Sequence, residues 1–169
     1  ILSGLVGSEM CIRDSYNGII EALRAKKLDV AYLGPFSYVL ASSVANVEAF
    51  SVAETKKNGK SFYKSLIIVR KDSGIQNIEQ LKGQTMAFVD PTSASGHLFP
   101  SAGLRKNNID PNKYFSRVIF SGSHDASILA VANKKVDAAA VADRILASAI
   151  AKGVGLSLIH ISEPTRPER

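Results

Sequence analysis

The stretch Phe88-Val-Asp-Pro-Thr-Ser-Ala-Ser-Gly-His97 concentrates the residue types that could do chemistry in this chain. An apolar run leads into Asp90-Pro91, and small hydroxylated residues then open what reads as a helix. The first turn of a helix carries backbone N–H groups that lack intrahelical acceptors. With the hydroxyls of Ser93 and Ser95 beside them, and the backbone of Ala94 between, those groups make a ready site for an anion. Gly96 has no Cβ, which predicts close approach of a ligand oxygen to the backbone. A tetrahedral oxyanion offers several acceptors at once, and each charge-assisted hydrogen bond contributes about 1.5–3 kcal/mol. About four or five such bonds hold it without any Lys or Arg. The alternative use of the same residues is plain helix capping by Thr92 or Ser93, although two hydroxyls flanking one Ala and followed by Gly exceed what a cap requires. The Gly-Lys-Ser/Thr element of a P-loop is missing.

A second strand-to-helix turn is Phe120-Ser-Gly-Ser-His-Asp125, with His124 at the start of a helix. The helix dipole disfavours a protonated imidazole there, which predicts a neutral ring able to donate one hydrogen bond to a bound anion; an exposed loop histidine is the alternative. In doubly wound sheets the turns after the strand carboxyl ends share one crevice, so Ser93, Ser95 and His124 are expected to converge. Ser95, His124 and Asp143 also supply the residue types of a nucleophilic triad. The Gly-x-Ser-x-Gly elbow is absent, however, and the reading is against an enzyme. His97 and His124 are distant in sequence and bring no obvious carboxylate or Cys partner, so no metal site is expected, and no cofactor is called for.

The elements that must position these residues follow a regular alternation. Tyr16–Lys27 sets Ile19, Ile20 and Leu23 at helical spacing opposite Glu21, Arg24, Lys26 and Lys27. Leu28–Leu33 reads as a buried strand stopped by Gly34-Pro35, Phe36–Ala45 as a helix of small residues, and Val47–Ala53 as a further strand. Asn58-Gly59 centres a turn over Lys56–Lys60. Tyr63–Arg70 is the strongest strand, nearly continuous in apolar character as strands covered on both faces are. Ile75–Leu81 is predicted as a short helix, Gln84–Val89 as a strand, and the stretch from Ser93–Gly96 to Asn107-Asn108 as a helix that Pro100 kinks or shifts. Strand Arg117–Phe120, helix Ser123–Lys134, strand Val136–Val141 and helix Asp143–Lys152 complete a βαβα pattern, which predicts an α/β fold with mostly parallel sheets.

The two ends do not read like the rest. Residues 1–15 and 155–169, with Val-Gly-Ser-Glu-Met-Cys-Ile-Arg-Asp-Ser in the first and Ser-Leu-Ile-His-Ile-Ser-Glu-Pro-Thr-Arg-Pro in the second, resemble translated sequencing-library adapter and are set aside from fold reasoning. Setting aside their three arginines and four carboxylates from 21 basic and 15 acidic residues leaves 18 and 11, a formal charge of +7. The basic residues are dispersed, with no block and no aromatic interleaving. That pattern argues against nucleic acid and fits a surface that mildly attracts anions. Cys11 lies in the first flank, so residues 16–154 contain no thiol, which suits an export compartment. No apolar run approaches the ~18 residues of a membrane-spanning helix.

Tyr16-Asn-Gly-Ile-Ile-Glu-Ala-Leu, Leu28-Asp-Val-Ala-Tyr-Leu-Gly-Pro, Tyr63-Lys-Ser-Leu-Ile-Ile-Val-Arg-Lys-Asp-Ser-Gly, Asp90-Pro-Thr-Ser-Ala-Ser-Gly-His-Leu-Phe-Pro and Ala130-Val-Ala-Asn-Lys-Lys-Val-Asp together resemble the substrate-binding proteins of phosphate/phosphite/phosphonate ABC transporters. The resemblance spans residues 16–154. It implies the type II periplasmic binding fold, in which two α/β lobes close over a ligand. Here it implies a partial first lobe over 16–62 and a second lobe with the crossover over 63–154, the start of lobe one and the return to it being absent. It makes Ser93, the residue-94 backbone, Ser95 and His124 ligands of phosphonate oxygens, with Tyr16 and Tyr63 as cleft residues. It also implies a small oxyanion as ligand, an ABC permease as partner and a periplasmic or extracytoplasmic location, with lipid anchoring of the parent protein left open. An extracytoplasmic ligand-sensing domain of the same fold is the rival reading. Two departures stand out. Ala94 occupies a position where phosphonate binders usually carry Thr, and Asp143 followed by Arg144 stands where aminophosphonate binders place a carboxylate for the ligand's ammonium. Asp143 either fills that role one residue displaced or caps its helix.

Overall fold

A computed structural model of the chain describes residues 16–54, 59, 61–155 and 157–161. Apart from Gly59, the turn expected over Lys56–Lys60 lies outside them, as do residues 1–15. Two helices come first, α1 (Tyr16–Arg24) and α2 (Pro35–Val44). Then follow strand β1 (Ser65–Arg70), β2 (Thr85–Phe88), a π-helical turn (Ala94–Leu98) running into α3 (Phe99–Lys106), the short α4 (Pro111–Tyr114), β3 (Arg117–Phe120), α5 (His124–Ala132), β4 (Ala138–Ala142), α6 (Asp143–Ala151) and β5 (Leu158–Ile161).

The five strands form one sheet in the order β3-β2-β4-β1-β5. Its β3-β2-β4 half is parallel, whereas β1 runs antiparallel to both β4 and β5, so the sheet is mixed where a mostly parallel one was expected. The alternation along β1 explains its strength. Ile67 and Val69 pack on one face with Met86, Phe88, Leu104 and Phe115, and Ile68 packs on the other with Ile128, Val131 and Leu146. Both faces are covered by helices, which accounts for the unbroken apolar run. In β4, Ala138, Ala139 and Ala140 are fully buried and without bulk, so helices seat close to the sheet.

The flank 155–169, set aside from the fold on sequence grounds, supplies an element of it. Leu158–Ile161 pairs residue by residue with Ile67–Arg70, and Leu158 and Ile161 are buried while His160 faces out. An open β1 edge recruits any short apolar segment within reach.

Residues 28–33 and 47–53 show the opposite outcome. Leu28–Leu33 and Val47–Ala53 were expected as strands and are irregular, with Val30, Phe50 and Val52 at 65, 80 and 67 % exposure. Their patterns suit a sheet, yet no strand among the described residues offers them a ladder, and an isolated strand has nothing to bond to. Ile75–Leu81 narrows to a single 3₁₀ turn, Glu79–Leu81. Helix α4 went unread, although Asp110 caps it by accepting a hydrogen bond from the Asn112 N–H and Pro111 opens it.

Candidate functional site

The loop after β2 is built to be rigid. Oδ1 of Asp90 accepts hydrogen bonds from the Thr92 N–H at 2.8 Å and the Thr92 hydroxyl at 2.6 Å, and the Asp90 carbonyl accepts from the Ser93 N–H at 2.9 Å. Such side-chain to backbone turns hold a loop without a strand ladder. Two tethers from elsewhere fix it further. Ser37 on α2 donates to the Thr92 carbonyl at 3.0 Å, and Ser65 on β1 donates to the Ser95 carbonyl at 2.7 Å.

At the mouth of the π turn, Ser93 takes the capping role and Oγ accepts from the Gly96 N–H at 3.1 Å. The wider turn follows from Pro100. Lacking an N–H, the proline sits buried in the first turn of α3, and the chain upstream closes by longer bonds, from Leu98 to the Ser93 carbonyl and from Phe99 to the Ala94 carbonyl. The N–H groups of Ala94 and Ser95 and the Ser95 hydroxyl have no acceptor or donor partner among the described residues. Ser93, Ala94 and Ser95 are all buried at 2–3 % exposure. Ser93 thus caps the turn, while the residue-94 and residue-95 amides have no acceptor among the described residues.

Gly96 serves a purpose other than the one expected. A Cβ there would lie 2.4 Å from Cβ and Cγ2 of Val89, so its hydrogen lets the turn pack on the end of β2. Its N–H is already spent on Ser93, and the close approach it permits is to protein.

His124 opens α5, half-buried, and its Nδ1 accepts a hydrogen bond from the Ala142 N–H at 3.2 Å. Burial lowers its pKa to about 4, with the Arg144 guanidinium pressing the same way and Asp125 opposing. The ring is neutral as expected, but desolvation and a neighbouring cation do the work assigned to the helix dipole. With Nδ1 accepting, the proton resides on Nε2, the free donor. The Tyr16 hydroxyl sits against Ser93, and burial pushes its phenol above the ordinary value, with Ser93 opposing and Asp90 and Tyr63 adding to the shift. Tyr63 lies under Arg144, its ring centroid 4.5 Å from Cζ. Asp143 is the first residue of α6 and its Oδ1 accepts from the Arg144 N–H at 2.8 Å, whereas the cap position is held by Ala142 with no side-chain cap bond.

Arg144 is the residue that sequence reasoning missed. Its charge acts on both Tyr16 and His124, its Nη1 donates to the Tyr32 hydroxyl at 2.9 Å, and with Tyr32 and Tyr63 it borders a cavity of about 930 Å³ against residues 28–33 and 46–53. Ser93, Ser95 and His124 are not part of that cavity wall, whereas Arg144, whose charge acts on His124, is. The only signal in the sequence was a basic residue where a carboxylate was expected. His97 packs edge-on between Phe88 and Phe120 with Nδ1 on the Pro91 carbonyl, a structural role.

Similarity to known proteins agrees with this geometry. Residues 8–167 match the family described as ABC transporter, phosphonate, periplasmic substrate-binding protein. The chain is 40 % identical over 129 residues to the phosphonates-binding periplasmic protein of Escherichia coli, covering 73 % of this chain and 37 % of that protein. It is 34 % identical over 131 residues to the phosphate-import protein PhnD of Mycolicibacterium smegmatis, covering 73 % and 41 %. The solved structure of PhnD1 from Prochlorococcus marinus in complex with methylphosphonate superposes with a TM-score of 0.74 at 25 % identity, over 88 % of this chain and 57 % of that one. The chain thus spans about two fifths of the length of those curated relatives, and its sheet and flanking helices are part of a type II periplasmic binding fold. Sequence, fold and the oxyanion-ready turn agree that this chain belongs to the periplasmic substrate-binding proteins of phosphonate ABC transporters.

Proposed function

We propose that the protein to which this sequence belongs is the extracytoplasmic binding component of an ABC importer and that it carries a tetrahedral phosphorus oxyanion, a phosphonate or phosphite, to its permease. The observation that carries this reading is the pair of unpaired amides at Ala94 and Ser95 beside the partnerless Ser95 hydroxyl. Buried donors without acceptors are rare in folded proteins and mark a place where a guest completes the bonding. Ser93, Ser95, the residue-94 amide and His124 Nε2–H are the oxyanion donors in this reading. Gly96 shapes the turn, and Tyr16 and Tyr63 line the opening. Asp143 is assigned to its helix and not to the ligand. Arg144 supplies a full positive charge, which the local sequence pattern alone did not require.

Binding by two lobes around one oxyanion is a hinge closure, and the closed form is the one the permease would engage. No bond to the ligand is made or broken in this scheme. The family match favours the importer over a sensor domain. The test is calorimetric titration of methylphosphonate into the protein expressed from the full reading frame containing this sequence. Ser95→Ala is expected to weaken binding about ten-fold or more, equivalent to ~1.4 kcal/mol. An unchanged affinity removes Ser95 from the site.

A further inference from the structure

The guanidinium of Arg144 is incompletely satisfied. Its Nη1 donates to Tyr32 and its face lies over Tyr63, but Nε is buried with no hydrogen-bond partner. No carboxylate among the described residues pairs with it. Oδ1 of Asp90 is occupied by both donors of Thr92, Oδ1 of Asp143 by the Arg144 amide, and the ion pairs that do form involve Arg24, Arg70 and Lys134. A half-buried cation held by two aromatic rings, with a buried unused Nε donor and no counter-ion among the described residues, invites an acceptor from outside the chain. Its position is the informative part, since its field reaches both Tyr16, against Ser93, and His124. The amides of Ala94 and Ser95 already serve the oxyanion head, which leaves Arg144 for a second group on the same ligand.

Resting on the reading of the oxyanion site given above, we infer that Arg144 selects phosphonates bearing a second, negatively charged group on a short arm, the phosphonocarboxylates, and rejects those bearing an ammonium. An arm carboxylate would meet the planar donor face of the guanidinium, whereas an arm ammonium would bring two cations together in a partly desolvated space.

The experiment compares three ligands of similar size by calorimetry with the protein from the full reading frame: methylphosphonate with no charged arm, phosphonoacetate with an anionic arm, and 2-aminoethylphosphonate with a cationic one. The expected order places phosphonoacetate at least ten-fold tighter than 2-aminoethylphosphonate. Arg144→Gln should bring those two within about two-fold of each other, and the ratio between them is the readout because loss of the positive charge weakens every oxyanion. Equal or tighter binding of 2-aminoethylphosphonate by the wild type would overturn the inference while leaving the oxyanion site standing, and so would a ratio that Arg144→Gln leaves unchanged. If Arg144→Gln fails to fold, the wild-type ranking alone decides. Failure of all three ligands to bind would remove the oxyanion site itself, and this inference with it.

Discussion

At the scale of single residues, neighbours of similar chemistry have separate duties. Ser93 and Ser95 are two positions apart and equally buried, yet the Ser93 hydroxyl oxygen accepts the Gly96 N–H in closing the π turn while the Ser95 hydroxyl has no partner among the described residues. His97 and His124 divide likewise, one wedged between two phenylalanine rings and the other holding a strand-end amide with its second nitrogen open. The His124 environment makes a pH prediction. Its pKa is lowered from 6.5 to about 4, so the folded chain binds fewer protons here than the unfolded chain between those values. Its contribution to stability is complete above pH 6.5 and is lost as the pH falls toward 4. In chemical denaturation, wild type should lose more stability than His124→Gln between pH 6.5 and 4.5, and the imidazole shifts in NMR should titrate well below 6.5. A midpoint near 6.5 would show an exposed ring.

At the scale of elements, the positions of the site residues are set by strand ends. The Ser93–Gly96 turn follows β2, His124 follows β3, and Arg144 follows β4, three parallel neighbours whose carboxyl ends lie at the same edge of the sheet. The strand β1 backs this array without contributing a ligand from its interior. Ile68 shows what that support involves, being fully buried against α5 and α6 residues. Ile68→Ala should cost about 2–5 kcal/mol through lost transfer energy and the cavity left behind. Urea unfolding at fixed pH would register it as a lower midpoint with an unchanged slope. A cost below about 1 kcal/mol would mean that the helices collapse into the gap and that the sheet face is less firmly packed than its burial indicates.

At the scale of the whole molecule, two regions of similar sequence quality fare differently. The strands from Ser65 onward find partners and a covered core, while Leu28–Leu33 and Val47–Ala53 keep their apolar side chains in the open. β5 gains its place only because β1 presents an edge. Deleting residues 155–169 takes the buried side chains of Leu158 and Ile161 out of the core. At about 1.5–3 kcal/mol for each large apolar side chain, the loss should reach several kcal/mol, read as a clear fall in thermal midpoint with increased self-association through the bare edge. An unchanged midpoint would show that the edge pairing contributes nothing. The 169-residue chain alone should also bind methylphosphonate at least ten-fold more weakly than a protein with both lobes complete, because hinge closure needs two opposing walls. Equal affinity would place all of the binding determinants within these 169 residues.

The sequence by itself determined most of the periodic elements and the hydroxyl-rich turn after β2, because both are local. Apolar alternation, a proline at a helix start and hydroxyls beside a glycine act within a few residues of one another, and they can be read without knowing what lies across the sheet. Only the tertiary structure decided the rest. The mixed strand directions, the unpaired segments 28–33 and 47–53, the packing of Gly96 against Val89 and the placement of Arg144 beside Tyr32 each depend on a partner distant in sequence. A residue's pattern does not reveal whether that partner is present, whether it is a strand, a Cβ or a counter-ion.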